Sequence, residues 1–295
     1  MSILKVLHPD VQYRVLVKNI LKHGDFKKGR NGNIVSSFGN KMTFCLKDKK
    51  VPFLSTKKLA WRSCLRELLW FMKGSTDNRL LTENKVKIWN GNADKTFLKS
   101  RGLEYNIEGD LGPIYGHQWR FFNAEYDNCE TNYQGKGVDQ LQNIIDNLKD
   151  DNEKFSRRLI LSAWNPEQLD EMALPPCHVM SQFYVNTSNE LSCMLFQRSG
   201  DVGLGVPFNI ASYAMLTHIL AKHCNLTPTK LIHFIGDAHI YENHIEPLQE
   251  QIYRNHYPMP TISITKRDNI DDYMFKDIKI ENYKHHPTIK MDMIA

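Results

Sequence analysis

Leu174-Pro175-Pro176-Cys177-His178 opens a stretch that continues through Gln197-Arg198-Ser199-Gly200-Asp201 to Pro207-Phe208-Asn209. Two strand-like runs, 179–186 and 191–196, lie between these motifs. A long apolar helix is predicted over 208–223, and a further strand over 231–235. Upstream, 158–164 also reads as a strand, and Val138, Leu141, Ile144, Ile145 and Leu148 recur at helical spacing. Strands and helices are mixed without regular βαβ alternation, which predicts an α+β fold over a doubly wound sheet.

The rest of the chain extends this pattern. Tyr13, Leu16, Val17, Ile20 and Leu21 predict an amphipathic helix over 11–23. A turn follows at Gly29–Gly32, with strands over Asn33–Leu46. Leu59–Met72 reads as a helix ended by Gly74, and its apolar content on all sides marks it as buried. Loops and short helices are expected over 90–135. Residues 239–254 read as helical apart from Pro247, 261–266 as a strand, and the tail as irregular. No repeat or linker divides the chain, so a single domain over 1–295 is expected.

The 295 residues carry 41% hydrophobic and 24% charged side chains, enough for a sizeable core. A net charge of +5 suits an anionic substrate without demanding nucleic acid, and the small lysine clusters read as solvated surface. Met1–Ile20 lacks the apolar core of a signal peptide and contains Asp10, Arg14 and Lys18. No apolar run reaches the ~20 residues of a membrane span. The six cysteines, at 45, 64, 129, 177, 193 and 224, are irregularly spaced and read as reduced thiols in a cytoplasmic setting.

Cys177 is the candidate nucleophile, because a thiol beside a cation is held as thiolate at neutral pH and Arg198 is available. Spacing alone leaves nucleophile and buried structural cysteine evenly balanced. On a strand, Cys177 and His178 point to opposite faces, which argues against a protease-like dyad. Arg157-Arg158 and Arg198-Ser199-Gly200 match the oxygens of a phosphate, although a double arginine alone is more often a surface pair. Glu67 interrupts an apolar helix and is either an acid/base or the partner of Arg62, Arg66 or Lys73. His239 and His244 lack the spacing and third ligand of a zinc site, so no metal is expected.

A colinear set of motifs then narrows the reading. It comprises Arg66–Phe71 with Lys73–Thr76, Gly109–Arg120, Ser162–Pro166, Ala173–His178, Gln197–Tyr213, Gly236–Tyr241 and Tyr283–Ala295. Together these resemble the thymidylate synthases over nearly the whole chain from about residue 10, and the 90–135 region resembles the eukaryotic form. The resemblance implies one α+β domain with a large mixed sheet flanked by helices, dimerising through the sheet. It implies a methyltransferase that converts dUMP to dTMP with 5,10-methylenetetrahydrofolate, yielding dihydrofolate, with no metal and no NAD(P)H.

Residue by residue, the resemblance implies that Cys177 adds to C6 of the pyrimidine while Arg198 favours its thiolate. Glu67, Tyr115, Asn209 and His178 complete the catalytic set. Arg30, Gln197, Arg198, Ser199, Gly200, Asp201, Asn209, His239 and Tyr241 meet the nucleotide, joined by Arg157 and Arg158 from the second subunit of a homodimer. Asp201, Ile88, Trp89, Asn92, Leu204, Gly205, Phe208, Met293 and Ile294 form the folate site, closed by Met291–Ala295. The Arg30 loop is one residue shorter than the family's usual form, and Ala295 stands where a larger aliphatic residue is common. A fused dihydrofolate reductase is not expected, since no sequence ahead of residue 1 encodes one. The rival reading, a deoxycytidylate hydroxymethylase, needs an acidic group at the ring edge where Asn209 stands. Weak RNA binding, which the family shows, is a possible side activity, and no membrane partner is expected.

Overall fold

The computed structural model describes residues 6–29 and 32–293. The chain runs α1 (Pro9–His23), β1 (Asp25–Gly29), β2 (Gly32–Cys45), α2 (Trp61–Met72), α3 (Asn78–Glu83), α4 (Asn90–Ala93), α5 (Lys95–Ser100), α6 (Tyr115–Phe121) and α7 (Gln140–Lys149). It continues through β3 (Ile160–Ser162), β4 (His178–Val185), β5 (Glu190–Asp201), α8 (Gly205–His223), β6 (Thr227–Tyr241), α9 (Ile245–Tyr253), β7 (Thr261–Ile264) and β8 (Ile278–Glu281). Six strands form one mixed sheet in the order β1-β2-β6-β5-β4-β3. Every pairing in it is antiparallel except β5 with β6. This is the α+β domain that the pattern predicts.

The parallel pair requires a crossover, and α8 supplies it. Residues 210–221 of α8 are all buried, so this helix is apolar on every side because protein surrounds it. Beneath it lie alternate residues of the strands: Phe183 and Val185, Cys193, Leu195 and Gln197, Leu231, His233 and Ile235. The opposite face of the sheet carries Met180, Phe196 and Phe234 in register, with Tyr184 further along. Phe196 is 41% exposed and Tyr184 62%, so this apolar face is bare.

Several elements differ from the sequence reading. α2 is buried all round only in its second half, where residues 68–72 are all buried; its first half has an open side. Its Leu65, Leu68, Leu69 and Met72 face the core, while Arg62 and Arg66 lie against the rings of Trp61 and Phe275. Lys73 ends α2 and Gly74 follows at φ +73°, a conformation that favours glycine. β5 and β6 run well past their apolar cores, because ladder hydrogen bonds carry Gln197–Asp201 and Gly236–Tyr241 alongside each other. Residues 239–241 are therefore strand, and α9 begins only at Ile245. Pro247 sits in its first turn, where the missing N–H costs nothing. The tail is not wholly irregular, since β8 pairs with β7 through Ile262 and Ile280. Among the described residues no helix is long and apolar enough to cross a membrane, and no disulfide is present.

One buried carboxylate ties the N-terminal helix to the loop that leads into the site. Asp10, 1% exposed, accepts from the backbone N–H groups of Ser55 and Thr56 and from both hydroxyls, at 2.7–3.2 Å. Replacing it leaves these buried donors without partners. Asp10→Ala is expected to lower unfolding free energy by roughly 2–3 kcal/mol, read from the urea midpoint at constant m-value.

Candidate active site

The Pro-Pro turn before Cys177 is clamped by Arg198. The guanidinium donates through Nε to the Pro176 carbonyl and through Nη2 to the Pro175 carbonyl, each at 2.9 Å. The Arg198 backbone N–H donates to the Cys177 carbonyl at 2.9 Å. These bonds bring Nη2 to 3.9 Å from Cys177 Sγ, so the cation both aims the thiol and faces it. Behind this clamp stands Gly236, where a Cβ would lie 2.7 Å from the Arg198 carbonyl. Only a residue without a side chain lets β6 approach so closely. The other cysteines differ in setting. Burial pushes the thiols of Cys193 and Cys129 up to about 12 and Cys224 up to about 11.

A β-bulge between His178 and Met180 breaks the alternation of β4 immediately after the cysteine. The His178 ring packs between Tyr115 and Tyr213, with centroids 5.2 and 5.3 Å away, and hydrogen-bonds the Asn209 amide. Burial lowers its pKa to about 4, so it is neutral at physiological pH and is not paired with Cys177 as a base. Asn209 stands in the second turn of α8, over the end of β5. Gln197, 2% exposed, donates from Nε2 to Asn209 Oδ1 at 2.9 Å and to the Ser199 carbonyl at 2.8 Å. Its Oε1 lies 2.8 Å from His233 Nε2.

Glu67 takes no ion pair with Arg62, Arg66 or Lys73 among the described residues. Its Oε1 accepts from Trp89 Nε1 at 2.7 Å. Burial pushes its carboxyl up to about 7, against the opposing pull of the Trp89 hydrogen bond. Such a group exchanges a proton readily near neutrality. Tyr115 lies between Glu67 and the thiol. Its hydroxyl accepts from the Cys177 backbone N–H at 2.7 Å, and burial, with the nearby Cys177, raises its pKa well above the usual phenol value. It therefore keeps its proton.

At the far end of β5, Ser199 and Asp201 pair with Asp237 and His239 of β6, and Tyr241 closes the row with its ring 5.3 Å from His239. Asp201 accepts from the Gly203 N–H at 2.8 Å and lies 3.6 Å from His244 Nδ1. Leu204, Gly205 and Phe208 form the adjoining start of α8. Asn92 is 8% exposed and its Nδ2 donor has no partner among the described residues, which fits a ligand that presents an acceptor. Ile88 and Trp89 lead into this turn, and Met293 is exposed.

Arg157 and Arg158 are not brought to this cleft. Both are exposed at the Gln182–Phe183 level of β4, where Gln182 Nε2 donates to the Arg157 carbonyl at 3.0 Å. That position is five residues along the chain from Cys177, or roughly 17 Å of strand. Arg30, Ile294 and Ala295 lie outside the described residues. Among the described residues no group of three or more His, Cys, Asp or Glu side chains is gathered to hold a metal ion.

Two site residues escaped the sequence reading. Buried Lys57 donates to the Gly203 carbonyl at 2.6 Å and reaches Met291 Sδ at 3.4 Å, and burial lowers its pKa to about 8 against the pull of Asp201. His244 Nε2 bonds the Asp292 carbonyl at 2.7 Å, so both hold the C-terminal segment beside Asp201. No local pattern marks either residue, because their partners come from distant segments.

The raised pKa of Glu67 has a signed consequence for stability. An unfolded glutamate loses its proton near 4.5, whereas Glu67 holds it to about 7, so the folded state binds more protons in that window and loses stability as pH rises through it. Glu67→Gln preserves the neutral form. Its Tm relative to the unchanged protein is expected to climb between pH 4.5 and about 7 and then level off. A difference that stays flat across that window would show that Glu67 ionises as a free carboxylate.

Comparison with known proteins places this geometry in context. The family model described as thymidylate synthase matches residues 11–295. Human thymidylate synthase is 50% identical over 288 residues, covering 97% of this chain and 91% of that protein. The bifunctional dihydrofolate reductase-thymidylate synthases of Leishmania major and Zea mays are 48% and 49% identical over 97% of this chain. The chain spans about half the length of these bifunctional relatives, 55% and 54%. A match across so much of the sequence leaves no ambiguity about descent: the chain belongs to the thymidylate synthase family.

Proposed function

We propose that the chain catalyses reductive methylation of dUMP to dTMP with 5,10-methylenetetrahydrofolate, releasing dihydrofolate. The observation that carries this reading is the convergence of Cys177, held 3.9 Å from the Arg198 guanidinium, with the Asn209 amide and the readily protonated Glu67. Cys177 adds as thiolate to C6 of the uracil ring, and the displaced electron pair moves through C5 and C4 onto O4. Asn209 donates to that oxygen and accepts from N3–H, stabilising charge only as it develops. Glu67, whose carboxyl burial pushes up to about 7, delivers a proton toward O4 and the folate. Tyr115 keeps its proton, holds the Cys177 backbone and orients the water that takes the C5 proton. With the folate bound in the cleft beside Trp89, Asn92 and Asp201, C5 attacks its methylene carbon. As water takes the C5 proton the folate nitrogen leaves. Hydride from the released tetrahydrofolate completes the methyl group while the Cys177 thiolate departs from C6, leaving dihydrofolate, so no nicotinamide cofactor is needed.

The nucleotide's phosphate is met by Arg198 and Ser199, with Arg157 and Arg158 contributed by a second copy of the chain. Two features support the homodimer. The bare sheet face with Met180, Phe196, Phe234 and Tyr184 is an apolar surface of the kind that a partner covers. The arginine pair also lies too far along β4 to serve its own cleft.

The reading is tested by following dihydrofolate formation with dUMP and the folate, with dCMP as control. Turnover with dUMP is expected, and turnover with dCMP that matches it would overturn the substrate assignment. Cys177→Ala is expected to abolish dTMP formation while dUMP binding remains measurable. Mixing Arg157→Ala with Cys177→Ala subunits should restore activity, since one of the two clefts in a hybrid then has both groups. Failure to complement would argue that each subunit works alone.

A further inference from the structure

His233 lies on β6 beneath α8, fully buried and away from the cleft, and no step of the proposed reaction uses it. Among the described residues its Nε2 bonds Gln197 Oε1, at 2.8 Å, and its Nδ1 has no partner. Gln197 passes the contact on, donating from Nε2 to Asn209 Oδ1 and to the Ser199 carbonyl.

The chemistry of this chain is directional. The Ser199 carbonyl can only accept, so the Gln197 amide must turn its nitrogen toward Ser199 and Asn209 and its oxygen toward His233. That oxygen needs a donor, which requires the proton on His233 Nε2 and leaves Nδ1 as a bare lone pair. An unpartnered lone pair is the less costly orphan, so burial favours the same tautomer. Burial also lowers the His233 pKa to about 3, so the ring stays neutral and the second nitrogen does not become a donor. With Gln197 fixed, Asn209 Oδ1 receives the Gln197 proton and Asn209 Nδ2 is left as the donor.

The orientation of Asn209 matters because the two pyrimidines differ there. Uracil offers an acceptor at O4 and a donor at N3, whereas cytosine offers a donor at N4 and an acceptor at N3. A flipped Asn209 would match cytosine. We infer that His233 is a positioning residue for pyrimidine choice: through Gln197 it holds the Asn209 amide in the orientation that accepts uracil and rejects cytosine. This inference rests on the proposed activity for its substrates, and on the hydrogen-bond chain for its cause.

The test has two arms. Nitrogen-15 NMR of histidine-labelled protein reads the tautomer directly, without substrate. The Nε2–H form of His233 is expected throughout the neutral range, and the Nδ1–H form would overturn the relay. In the second arm kcat/KM is measured for dUMP and dCMP in His233→Phe, which keeps a ring but loses the donor, and in His233→Gln, which can restore it. His233→Phe is expected to lose up to about 100-fold in kcat/KM for dUMP and to narrow the dUMP:dCMP preference by roughly tenfold or more. His233→Gln should regain most of the preference. Equal losses on both substrates, with the ratio unchanged, would reduce His233 to a packing residue. If His233→Phe does not fold, His233→Met against His233→Gln gives the same comparison. Absence of dUMP turnover in the unchanged protein would defeat the proposed activity while leaving the NMR arm to decide the relay.

Discussion

The parallel pairing of β5 with β6 is the constraint on which the rest of the structure depends. Parallel neighbours cannot be joined by a hairpin, so the chain must cross back over the sheet. α8 makes that crossing, covers one face and is buried on all sides. The crossing sets Asn209 above Gln197 at the end of β5, and the return along β6 lays Asp237 and His239 beside Ser199 and Asp201. Because the crossover covers only one face, the other face stays bare with Phe196 and Phe234 upon it. The cleft and the bare apolar face are thus two consequences of one topological choice.

Within that frame the site is a buried polar network whose members hold one another. Arg198 spends two donors on the carbonyls of Pro175 and Pro176, which fixes the turn and brings positive charge to the thiol. His178, His233 and Tyr115 are kept neutral by burial. Their role is to orient, and in a low-dielectric setting each hydrogen bond counts for more than it would in water. Glu67 is set near neutrality, because burial pushes its carboxyl up to about 7 and a single Trp89 donor does not fully compensate. The environment therefore sets the protonation of Glu67 apart from that of the groups around it.

Much of this was legible in the chain. The apolar periodicities of α1, α7 and α8 placed those helices, and the motif around Cys177 named Arg198 and Asn209. What failed did so for identifiable reasons. The ends of β5 and β6 are polar and glycine-containing, so a hydrophobic pattern stopped short, although the backbone ladder continues through them. His239–Tyr241 looked helical for the same reason. α2 is buried all round only over residues 68–72, because at its start Arg62 and Arg66 spread over the rings of Trp61 and Phe275, the latter contributed from far along the chain.

The sequence by itself determined the fold class and the family and named the candidate site residues, since these reside in residue type and in spacing along one chain. Tertiary structure decided their states and orientations. Glu67 finds Trp89 and not an arginine, His178 turns to Asn209 across a β-bulge, and Lys57 and His244 meet the C-terminal segment beside Asp201. Burial, and the direction of a hydrogen bond between distant segments, have no local signature. They exist only once the strands are paired and α8 has closed over them.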